Sequence, residues 1–87
     1  MPPLLTCLSP EQIEGRSLSP ATDIYALGVV FFEMLTGELP FNAPDVATFF
    51  VKHMQEPPPA VRSLNGRVPE KLDELVVRML AKSASDR

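Results

Sequence analysis

Eighty-seven residues allow one domain, and a chain that is 45% hydrophobic and 22% charged has the balance of a folded globule, not of a disordered tail. A formal net charge of −3 leaves no basic footprint for DNA, RNA or anionic lipid, so no nucleic-acid partner is expected. The single cysteine, Cys7, excludes an internal disulfide and a thiolate zinc site, and the first residues lack the cationic and apolar runs of a signal peptide; a reducing, cytoplasmic setting is expected.

Prolines and capping residues punctuate the chain. Ser9-Pro10-Glu11-Gln12 reads as a helix start, with Ser9 as cap, Pro10 at the first helical position and Glu11 adding favourable charge at the amino end. Gly15 ends it, giving a helix over about 10–14. Ser19-Pro20 repeats the signal ahead of a helix over about 20–36, which Gly37 closes and Pro40 keeps from resuming. Both Ser-Pro pairs read as caps and not as phosphorylation sites.

The 20–36 helix is unusual. Ile24, Tyr25, Ala26, Leu27, Val29, Val30, Phe31, Phe32, Met34 and Leu35 spread around the whole cylinder. A helix apolar on every side is buried on every side or lies in a membrane. Asp23 and Glu33 interrupt the run, which falls short of the ~20 apolar residues a bilayer needs, so no membrane segment is expected. The expectation is a central post, with Phe31 and Phe32 as core. So short a chain has few elements with which to wrap it, so part of the protein is expected to lie outside this sequence and the free chain to self-associate.

Downstream, Val46, Phe49, Phe50 and Met54 fall at helical spacing and predict a helix over about 45–55. Phe49, Phe50 and Met54 are also a candidate partner-docking face. Pro57-Pro58-Pro59 ends the helix in an extended spacer, and Asn65-Gly66 marks a turn. Leu72, Leu75, Val76, Met79 and Leu80 make one stripe at i, i+3, i+4, i+7 and i+8, which predicts a last helix over about 69–82. Acids at its start (Glu70, Asp73, Glu74) and bases at its end (Arg78, Lys82) suit the helix dipole. No segment alternates as a strand does, so the fold class is all-α, a central apolar helix packed by shorter ones.

No chemistry-bearing constellation emerges. Gly15, Gly28, Gly37 and Gly66 are scattered and form no phosphate-cradling loop. His53, the only histidine, sits on an apolar stripe and reads as a packed side chain; no nucleophile elbow or paired His/Cys spacing supports a triad or a metal site. The expectation is no catalytic, cofactor-binding or metal-ligating residue in this chain.

Several segments in fixed order nevertheless resemble one family. Ser9-Pro10-Glu11-Gln12, the run Ser19-Pro20-Ala21-Thr22-Asp23-Ile24-Tyr25-Ala26-Leu27-Gly28-Val29-Val30, then Glu33-Met34-Leu35-Thr36-Gly37-Glu38-Leu39-Pro40-Phe41, Val68-Pro69, Met79-Leu80-Ala81-Lys82 and Arg87 are similar to the carboxyl-terminal lobe of bacterial-type serine/threonine protein kinases. The resemblance implies ATP- and magnesium-dependent phosphoryl transfer to protein serine or threonine in a full-length parent. It implies structural roles for Glu11, Arg87 and Asp23: Glu11 and Arg87 as a charge pair, Asp23 as a brace for the catalytic loop. It implies a protein substrate, or the remainder of the kinase domain, as partner. Leu4 and Cys7 depart from the family, which has threonine and tyrosine there. The glycine-rich loop, strand lysine, His-Arg-Asp and Asp-Phe-Gly of such enzymes have no counterpart in the chain, so it is expected to be inactive alone. The alternative is a non-catalytic helical interaction module or a pseudokinase remnant.

Overall fold

A computed structural model describes residues 8–16 and 19–87; the departures at Leu4 and Cys7 lie outside them. Five helices follow one another: α1 (Pro10–Ile13), α2 (Pro20–Thr36), α3 (Val46–Gln55), α4 (Val61–Leu64) and α5 (Glu70–Met79), with a closing 3-10 turn at Ala84–Asp86. Among the described residues there is no strand, and no helix is long and apolar enough to cross a membrane.

Local chemistry sets most boundaries. At α1 the Ser9 N–H donates to Gln12 Oε1 (2.9 Å) and the Gln12 N–H to Ser9 Oγ (3.4 Å), a reciprocal cap. At α2 the Ser19 N–H donates to Thr22 Oγ1 (3.2 Å), and Gly37 takes a left-handed φ of 76°, its N–H bonded to Glu33 O at 2.8 Å. Asp45 caps α3 by accepting the Thr48 N–H at 2.8 Å.

Two boundaries differ from the sequence prediction. The helix α4 was not expected: it has no start signal of its own, and the Val61 N–H is capped by Asp73 Oδ1 (2.7 Å), twelve positions away on α5. The last helix stops at Met79 instead of continuing to Lys82. Past Met79 the carbonyls of Ala81 and Lys82 instead accept from the Arg87 guanidinium (2.8 and 3.3 Å). Leu75 also leaves its expected stripe and is exposed, while Val76 and Leu80 are fully buried.

Tyr25, Val29 and Phe32 of α2 meet Val61, Val68, Val76 and Leu80 in one hydrophobic core. Each such side chain contributes about 1.5–3 kcal/mol on burial. Gly28 lets α5 lie close: a Cβ there would sit 2.8 Å from the Met79 Cβ. The molecule measures 36 × 29 × 19 Å, so its thin dimension holds about two layers of helix. Two layers cover one side of α2 only. Ile24, Leu27, Val30 and Met34 remain exposed in a stripe on the opposite side, and Met34 is 75% exposed. The post is half enclosed.

Candidate functional site

Three buried polar groups converge on the closed side of α2. Pro10 opens α1 and holds Glu11, 7% exposed, against the amino end of α2. The Glu11 carboxylate accepts from Arg87 Nη1 (Oε2, 2.7 Å), Arg87 Nη2 (Oε1, 2.9 Å) and Thr22 Oγ1 (Oε2, 2.9 Å). The Arg87 side chain is wholly buried. Its remaining N–H groups reach Ala21 O (3.0 Å), Ala81 O and Lys82 O, so its planar fork is fully used. Arg87 and Thr22, with the burial of the site opposing them, hold the Glu11 pKa down at about 2.

The structure thus brings Glu11 and Arg87 together across 76 positions. Asp23, the third residue named from sequence, is elsewhere. It sits exposed in the first turn of α2, where a carboxylate suits the helix dipole.

Tyr25 links this clamp to a second centre. The Arg87 guanidinium lies 4.8 Å from the centre of its ring. Its hydroxyl lies 2.6 Å from His53 Nδ1. Burial raises the tyrosine's pKa well above its ordinary value. His53 is enclosed by the rings of Phe49 and Phe41, with centroids at 4.5 and 5.1 Å. Burial first, and then the nearby Lys82, lower its pKa to about 4. Lys82 donates to Lys52 O (3.1 Å) and lies 4.0 Å over the Phe41 ring. Burial also lowers the Lys82 pKa, to about 8. Phe49 is buried here and so does not form the exposed docking face weighed with Phe50 and Met54.

Sequence reasoning treated His53 as packed but missed Tyr25, Thr22 and Lys82 as polar partners. The 28-residue separation of Tyr25 and His53 carries no pattern that could reveal them. Chemically the arrangement binds elements to one another. Both carboxylate oxygens of Glu11 are occupied, and the open groove of about 460 Å³ beside it is lined by Arg16, itself paired with Glu14 at 2.8 Å.

A protein kinase domain model matches residues 5–87. The probable serine/threonine-protein kinase PknB of Lactococcus lactis is 40% identical over 80 residues, 92% of this chain and 13% of that protein. The serine/threonine-protein kinase PrkC of Bacillus subtilis is 38% identical over 80 residues, 92% of this chain and 12% of that protein. The hybrid signal transduction histidine kinase G of Dictyostelium discoideum is 43% identical over 83 residues, again 92% of this chain but 2% of that protein. The chain therefore spans about an eighth or less of the length of these relatives.

Proposed function

Because the chain belongs to the protein kinase domain family, we propose that it is the carboxyl-terminal part of a serine/threonine kinase domain, within a longer protein that transfers phosphate from ATP to protein serine or threonine. These 87 residues transfer none by themselves. The observation that carries this reading is the open stripe of Ile24, Leu27, Val30 and Met34 on α2. Exposing such a row costs free energy that a covering surface recovers, and the kinase relatives are several times longer than this chain.

The residues present do not fit nucleotide and magnesium. Phosphoryl transfer needs carboxylates that hold metal ions against phosphate oxygens. Among the described residues no three His, Cys, Asp or Glu side chains converge to hold a metal ion. In this reading that chemistry comes from other parts of the domain, in the cytoplasm. Asp23, exposed on the stripe side, would accept N–H groups from the part that covers α2, and the Glu11–Arg87 clamp fixes α1 and the end of the chain as a frame.

The test is direct. The purified chain, given labelled ATP, magnesium and a general protein substrate, is expected to incorporate no label above a blank without protein. Label transferred in proportion to the chain's concentration would overturn the reading.

A further inference from the structure

We propose that α3 is mounted on a proton-sensitive latch: protonation of His53 releases this helix while the α2–α4–α5 core stays folded. The inference is independent of the phosphotransfer reading and rests on how the imidazole is enclosed.

His53 is fully buried, and its Nε2 has no hydrogen-bond partner among the described residues. A neutral imidazole is served at one nitrogen by Tyr25 and leaves the other idle. An imidazolium carries a proton on both nitrogens, so Nδ1 can no longer accept from Tyr25, and the buried charge at Nε2 would face no acceptor among the described residues. The aromatic faces around it attract a cation by ~0.5–2 kcal/mol, but Phe41 already carries the Lys82 ammonium 4.0 Å over its ring. A second positive charge there meets repulsion.

The charged and titratable groups on the surrounding elements offer no relief. On α2 the group is Tyr25. On α1, Glu11 is engaged by Arg87 and Thr22. At the start of α3, Asp45 is engaged by Thr48. Beyond α5 stand two cations, Lys82 and Arg87, and one acid, Asp86, which is exposed on the closing turn. On α3 itself Lys52 donates to Asn42 O (2.6 Å) and Glu56 is exposed. No carboxylate forms an ion pair with His53 among the described residues.

Release is local because α3 contributes only Phe49 and His53 to the buried interior, while the hydrophobic core of α2, α4 and α5, which His53 meets at Tyr25, is built from other elements. His53 is the chain's only histidine, so no other imidazole titrates in the same range. The sign follows from the direction of the shift. A histidine held at about 4 in place, against an ordinary 6.5, contributes fully above 6.5 and loses its contribution as pH falls from 6.5 to 4. At about pH 5 release is favoured roughly 30-fold more than at about pH 7.5.

Residue-resolved amide exchange at these two pH values, corrected for intrinsic rates, tests this. The opening equilibrium of α3 amides is expected to rise about 30-fold, with α5 amides changing less than about threefold. Equal changes in α3 and α5, or none in α3, would overturn the proposal. His53→Gln keeps a polar partner for Tyr25 but does not titrate, and is expected to remove the α3 response. Should that variant fail to dock α3, the wild-type imidazole resonance decides: a midpoint well below 6.5 supports the latch, and one at 6.5 or above overturns it.

Discussion

The two sides of α2 are equally apolar in sequence and opposite in fate. On one side Tyr25, Val29 and Phe32 are sealed by α4, α5 and the end of the chain; on the other Ile24, Leu27, Val30 and Met34 meet solvent. Composition does not choose between them. The closed side is chosen by shape, through the notch at Gly28 that admits Met79 and Leu80, and by the polar clamp that ties both ends of the chain to it. The open side has neither notch nor clamp, and its one charge near the helix start, Asp23, is exposed.

The largest way to disturb this contrast is to break the clamp. Glu11→Gln or Arg87→Met strands the other partner in a buried place and is expected to cost about 3–5 kcal/mol, read as a lowered urea midpoint. This is a large share of what a domain of this size has in hand. The clamp also has its own acid signature. With the Glu11 carboxyl held at about 2 against an ordinary 4.5, its contribution is complete above 4.5 and fades as pH falls from 4.5 towards 2. Acid should therefore loosen α3 first and the clamp later; circular dichroism with residue-resolved exchange would show two separate steps.

Smaller effects sharpen the picture. Gly28→Ala favours the helix backbone but drives a methyl into the Met79 Cβ, and is expected to destabilise by about 1–3 kcal/mol in thermal melts. Asp73→Ala leaves the Val61 N–H without its cap, and is expected to cost about 1 kcal/mol with loss of exchange protection confined to α4. Met34→Ser on the open side should change stability by less than about 0.5 kcal/mol while reducing self-association in sedimentation.

Much of this architecture is legible in the sequence, and the exceptions share a cause. Ser9, Pro10, Pro20, Gly37 and Asp45 act on atoms within four residues, so the elements they bound can be read directly. The helix α4 and the early end of α5 depend on Asp73 and Arg87, whose partners are fixed only once the chain has folded. An all-apolar α2 hides its own orientation, since Phe32 and Met34 look alike until α5 arrives. The Tyr25–His53 contact has no sequence signature at all. The meeting of Glu11 with Arg87 has none in spacing either; only the family resemblance points to it. Of the candidate site, Glu11 and Arg87 are thus readable through the resemblance, while the parts of Thr22, Tyr25 and Lys82 in it are not.

The half-enclosed post is the claim on which the functional reading stands, and two methionines measure it. Met34 is 75% exposed on the open side, and Met79 is 8% exposed against the closed one. Under limiting peroxide in dilute solution, with sulfoxide followed at each by peptide mass spectrometry, Met34 is expected to oxidise many times faster than Met79. Equal, slow oxidation of the two would mean that α2 is enclosed on both sides, and would contradict the account.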